Sequence, residues 1–218
     1  MAQQSRRDRP VQIKICGITN LNDALHSIDL GADALGFNFY PRSRRFIEIK
    51  TAGEWIAKLP PSTRKVAVLV NPTVEQAVNI AQLPFIDSLQ LHGNESAEFC
   101  AELAERGLSF TKALPMRDES YLRQPTSFST RSVLLDSGTP AGFGGSGQTF
   151  PWSLARRFVE EHPDFQVILG GGLTADNVGR AIEMVGPAGV DVTSGVEATF
   201  GRKDRARLQA FISAARSA

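Results

Sequence analysis

Short β-branched and apolar runs alternate with longer stretches of helical periodicity from residue 11 to the end of the chain. The runs are VQIKIC (11–16), ADALGFNFY (32–40), KVAVLV (65–70), IDSLQL (86–91), SFTKAL (109–114), SVLLD (132–136), QVILG (166–170) and GVDVTS (189–194). Helices are expected over 22–30, 52–59, 74–81, 96–106, 118–124, 153–161, 175–184 and 205–215, the fifth being the weakest pattern. In the first, Ala24, Leu25 and Ile28 share a face and Gly31 supplies the stop. Gly107 ends the fourth helix in the same way, and Pro60 and Pro61 close the second.

Continuous strand–helix alternation implies parallel strands joined by right-handed crossovers. Eight such units fit an α/β single (β/α)8 TIM barrel better than an open doubly wound sheet. The barrel is expected over 11–218 as one catalytic domain, preceded by a flexible tail over 1–10 that has basic residues but no apolar core of a secretory signal.

Composition narrows the function classes. In 218 residues, 42% are hydrophobic and 22% charged, with a formal net charge of +1. That balance supplies no general attraction to nucleic acid or to a membrane surface, so any anion site is local. No run approaches the length of a membrane span. Two cysteines in unlike settings, with no secretory signal, favour a reducing compartment and a cytoplasmic protein. The histidines are scattered and form no metal-ligand spacing, so no metal is expected.

In a barrel of this kind the chemistry sits at the C-terminal ends of the strands. Cys16, the segment from Asn38 to Arg45, Asn71, His92, Lys112, Asp136, Gly170–Gly172 and Ser194–Gly195 fall at those ends. The glycine-rich ends of strands seven and eight suit a phosphate, because glycine lets backbone N–H groups approach it closely. Cys16 reads either as a small buried hydrophobe or as a thiolate placed beside a glycine turn. Asp136 reads either as a turn former or as a general acid with a raised pKa. Arg42, Arg44 and Arg45 form a basic cluster that suits a carboxylate. Cys100, within EFCAELA, reads as core packing.

KICGIT, ALGFNFYPRSRR, LQLHG, LLDS followed by GGSGQTFPW, GGL, and SGVE with GRKD lie in order at the strand ends. Together they resemble the phosphoribosylanthranilate isomerases. The resemblance implies an Amadori rearrangement of a small-molecule phosphosugar, without cofactor, in a monomer or homodimer. It places the general base on Cys16, the general acid on Asp136 and the carboxylate-binding arginine on Arg45. It places the phosphate on Gly171, Gly172, Ser194 and Gly195, and lines the substrate with His92 and the loop containing Gly144 and Gly145. The family usually carries proline where Phe200 stands. Two rival readings remain: a histidine-pathway isomerase, which would use two aspartates, and a barrel that only binds a phosphorylated ligand.

Side chains alternate along a strand, so Lys14 shares a face with Cys16, Gln90 with His92, and Asp191 with Thr193. If that face is inward, Lys14 of the first strand meets Asp191 of the last, and an ion pair is expected beneath the active site.

Overall fold

The computed structural model describes residues 10–123, 127–138 and 149–218. Eight parallel strands close into a barrel in sequence order: β1 (Gln12–Cys16), β2 (Ala34–Asn38), β3 (Arg64–Leu69), β4 (Ser88–Leu91), β5 (Phe110–Pro115), β6 (Ser132–Asp136), β7 (Gln166–Leu169) and β8 (Gly189–Val192). The described α-helices are α1 (Leu21–Asp29), α2 (Ile49–Ile56), α3 (Val74–Ala81), α4 (Ala97–Glu105), α5 (Trp152–Glu161), α6 (Val178–Val185) and α7 (Arg205–Arg216). After β8 the chain makes a 3-10 turn at Ser194–Val196 and then a small antiparallel hairpin, β9 (Glu197–Thr199) and β10 (Arg202–Lys203).

The fifth helix expected from the sequence is a 3-10 helix, Glu119–Arg123. Among the described side chains of that segment Leu122 is the buried apolar one, and Pro125 follows closely in the sequence, where it disfavours a longer helix. In α1 the buried stripe is Asp23, Ala24 and Ser27, while Leu25 points out at 40% exposure. The expected Leu25 face is therefore wrong by one helical position. α2 begins earlier than its periodicity suggested, and α6 begins later, because Thr174 to Asn177 form a turn closed by the Asn177 side chain on the Thr174 N–H.

Outward-facing strand residues and inward-facing helix residues form the main core. Ile13, Ile15, Leu35, Phe37 and Leu89 are fully buried, as are Phe158 and Phe211 from the helices. Phe37 meets Trp55 of α2 edge-on, with ring centroids 5.7 Å apart. Cys100 is fully buried in α4, as expected of a packing residue. The opposite face of β1 turns Lys14 and Cys16 into the barrel, the parity that alternation requires.

Candidate active site

A cavity of about 890 Å³ opens at the C-terminal ends of the strands. Cys16, Asp136, Arg45, His92, Gly171, Gly172, Ser194 and Gly195 all line it, although they come from six different parts of the chain. Gly144 and Gly145 lie outside the described residues. Asn71 and Lys112 are engaged elsewhere, since Glu95 accepts from the Asn71 N–H at 2.9 Å and from Lys112 Nζ at 2.8 Å. The buried Glu95 thus ties the loops after β3 and β4 to strand β5.

Cys16 ends β1 at 8% exposure. Its neighbour across the β1–β2 ladder is Gly36. A Cβ at Gly36 would stand 2.7 Å from Cys16 Sγ and 3.1 Å from Lys14 Cε, so only glycine leaves room for both. Beneath the thiol, Lys14 Nζ donates to Asp191 Oδ1 at 2.7 Å, the ion pair expected from strand parity. Beside it, Lys203 of β10 reaches in and donates to the carbonyl of Cys16 at 2.6 Å, to that of Thr193 at 3.1 Å, and to Glu197 Oε1 at 3.2 Å.

Asp136 ends β6, and its Oδ1 accepts from the Ser137 N–H at 2.9 Å. Its Oδ2 lies 3.2 Å from His92 Nε2. The other ring nitrogen of His92 lies 2.9 Å from Gln90 Nε2. With the Gln90 amide donating to Nδ1, His92 carries its proton on Nε2 and donates it to the carboxylate. Gly171, at φ 78, passes so close that a Cβ there would stand 2.6 Å from the Ser137 nitrogen and 2.9 Å from Asp136 Oδ1.

Arg45 is buried, and Glu197 grips one edge of its guanidinium through Nε at 2.8 Å and NH2 at 2.7 Å. Glu197 and Lys203 are the functional-site residues that sequence reasoning missed. Their signal was present, since both stand in the strings SGVE and GRKD, but nothing local says that they meet Arg45 and Cys16.

A family model for N-(5′-phosphoribosyl)anthranilate (PRA) isomerase matches residues 13–214. The chain belongs to this family. A Thermotoga petrophila N-(5′-phosphoribosyl)anthranilate isomerase is 44% identical over 202 residues, 93% of this chain and 97% of the relative. A Pelobacter propionicus isomerase is 43% identical, covering 93% of this chain and 94% of its own. The solved phosphoribosyl anthranilate isomerase of Thermotoga maritima superposes with a TM-score of 0.86 at 40% identity, covering 95% of this chain and all of that one.

Protonation departs from the sequence expectation at Asp136, and at Cys16 it follows burial. Burial pushes the Cys16 thiol up; Lys14, Lys203 and a hydrogen bond with Thr193 pull it down without overcoming burial, which Asp191 reinforces. Burial also pushes the Asp136 carboxyl up, but the His92 bond, the Ser137 N–H and Lys14 outweigh it and hold it below the ordinary carboxylate range. The raised pKa expected for Asp136 is thus reversed by His92. Burial lowers Lys203 despite Glu197, whereas Lys14 is raised because Asp191 and Cys16 together outweigh its burial.

Proposed function

We infer that this isomerase carries out the Amadori rearrangement of N-(5′-phosphoribosyl)anthranilate to 1-(2-carboxyphenylamino)-1-deoxyribulose 5-phosphate in tryptophan biosynthesis, with Cys16 as general base and Asp136 as general acid. The observation that carries the residue roles is the convergence of a buried thiol, a buried carboxyl, a gripped arginine and two glycine-rich strand ends on one cavity. A relative at 38% identity and a TM-score of 0.83, covering 95% of this chain, was solved with reduced 1-(o-carboxyphenylamino)-1-deoxyribulose 5-phosphate.

The residues divide the chemistry among them. Asp136 delivers a proton to the ribose ring oxygen, the C1′–oxygen bond breaks, and the aryl nitrogen's lone pair forms a Schiff base at C1′. The Cys16 thiolate then removes the C2′ proton, giving an enolamine, which tautomerises to the ketone with a proton returning to C1′. His92 aims the Asp136 carboxyl through the Nε2 bond. Arg45 receives the anthranilate carboxylate on the guanidinium edge that Glu197 does not occupy. The phosphate rests on the backbone at Gly171, Gly172, Ser194 and Gly195. The strand-one cysteine favours this substrate over a two-aspartate reaction, since Asp191, the other aspartate lining the cavity, is held by Lys14. We place the enzyme in the cytoplasm as a monomer or homodimer; a Thermotoga maritima relative is known as a dimeric phosphoribosylanthranilate isomerase. No described helix is long and apolar enough to cross a membrane.

The test is the fluorescence decay of freshly generated phosphoribosylanthranilate. Wild type consumes it, and Cys16→Ala and Asp136→Asn each lose about 10²–10⁴-fold in kcat while keeping the wild-type circular dichroism spectrum. An inert wild type ends the substrate reading; a fully active variant ends that residue's role.

A further inference from the structure

Phe200 is 57% exposed, the most exposed large hydrophobic among the described residues. Leu21, Leu25 and Met184 lie on the outer helices, where single exposed apolar side chains are ordinary. Phe200 instead lines the rim of the catalytic cavity, at the tip of the β9–β10 hairpin. It also stands where the family resemblance leads one to expect proline.

The tip is firmly held. Gly201 turns the chain at φ 74, its N–H points to Glu197 Oε1 at 3.3 Å, and its carbonyl accepts from the Thr19 hydroxyl. The Arg44 guanidinium lies over the Phe200 ring, 4.4 Å from the centroid, so one face is already occupied. The Arg45 guanidinium is 5.4 Å from the same centroid. A carboxylate docked on Arg45 therefore brings whatever carries it against Phe200. In the substrate inferred above, the carboxylate is attached directly to the aromatic ring.

We propose that Phe200, held by Arg44, is the wall that recognises the aryl group of the substrate and sets the preference for an aryl amine over an alkyl amine. This rests on the anthranilate reading of the site. The substrate ring meets the ring edge or face of Phe200 that Arg44 leaves uncovered, in the offset or edge-on arrangement that aromatic pairs favour. Apolar surface that both rings expose to water is removed on binding. Because the contact is remote from C1′ and C2′, it is the same in the bound substrate and the transition state. It therefore lowers KM without changing kcat.

The experiment compares wild type, Phe200→Ala and Phe200→Trp on phosphoribosylanthranilate and on two inhibitors. One is the reduced carboxyphenylamino product analogue; the other replaces its carboxyphenyl group by a carboxyalkyl group. Phe200→Ala should raise KM about tenfold with kcat within about twofold. It should weaken the aryl analogue about tenfold, change the alkyl analogue less than about twofold, and Phe200→Trp should restore aryl binding. Equal weakening of both inhibitors, or of neither, in an active enzyme overturns the proposal. An inert wild type overturns the parent reading instead, and is seen before any variant is compared.

Discussion

Burial favours the uncharged form of both Cys16 and Asp136, yet only the thiol keeps that preference, because His92, the Ser137 N–H and Lys14 stabilise the Asp136 carboxylate. At neutral pH the site therefore holds thiol and carboxylate, whereas the roles proposed for Cys16 and Asp136 call for thiolate and carboxylic acid. With those roles, the active form is a minor tautomer of the singly protonated pair, and its share is constant between the two pKa values. The pH profile of kcat/KM should be a plateau whose acid limb lies below the ordinary carboxylate range and belongs to Asp136. Its alkaline limb should lie above the ordinary thiol value and belong to Cys16. Alkylation of Cys16 by iodoacetamide, followed against pH, checks the assignment: its midpoint must fall on the alkaline limb, and coincidence with the acid limb would refute it. Strand parity made the placement of Cys16, Lys14 and Asp191 legible in the sequence. The proton balance at Cys16 and Asp136 was not legible, because it depends on a histidine 44 residues from Asp136 in the chain. The same crowding gives a steric prediction. Gly36→Ala places a methyl 2.7 Å from Cys16 Sγ, with the Cys16 backbone only 3.1 Å away, so the thiol must swing aside. About a 10²-fold loss of kcat is expected, the penalty of a displaced reacting group, with urea unfolding showing that the barrel persists.

The β9–β10 hairpin brings the Cys16 carbonyl, the Thr193 carbonyl and the Arg45 guanidinium under one control through Lys203 and Glu197. Eight strands are readable from the sequence because each carries an apolar run, and the strings that contain Glu197 and Lys203 stand out as well. The hairpin is not readable, since strands of three and two residues carry no periodicity. The fifth helix, the weakest pattern in the sequence, is a 3-10 helix for the related reason that its periodicity is short. Burial raises the Glu197 carboxyl, but the Arg45 hydrogen bond, Lys203 and the Arg45 charge hold it below its ordinary value. A depressed carboxylate stabilises the fold fully above the unfolded-state pKa, and that contribution is lost as pH falls through the folded one. Glu197→Gln should therefore cost about 3 kcal/mol of unfolding free energy near neutrality, the usual scale for leaving a buried cation without its partner. The gap between wild type and Glu197→Gln should narrow in denaturant titrations as pH drops below the ordinary glutamate range. A gap independent of pH would show that the carboxylate's charge is not what stabilises the hairpin. The variant should also raise KM more than it lowers kcat, because Arg45 loses the partner that fixes its edge.

Closure of the whole barrel depends on β1 meeting β8, the two barrel strands farthest apart in the chain, and Lys14–Asp191 lies on that seam, 177 residues apart in sequence. The ladder around it could be closed by apolar side chains, as it is at Ile13–Val190 and Ile15–Val192. A buried ion pair gains from Coulomb attraction but pays for desolvating both charges, and well-packed apolar replacements are often neutral or stabilising. Its presence at this position therefore argues for function rather than stability: Lys14 is the charge that most opposes burial at Cys16 and also acts on Asp136. Lys14→Met and Asp191→Leu should each cost about 3–5 kcal/mol in urea unfolding, because each strands one buried charge. The double variant should recover most of that loss, with strongly non-additive energies in the cycle. Its isomerase activity should nonetheless remain at least about 10²-fold below wild type, since the thiolate has lost its neighbouring cation. A double variant that regains both stability and turnover would show that the pair serves only to close the barrel. One that regains stability alone would show that the seam gives up stability to hold a charge beneath the Cys16 thiol.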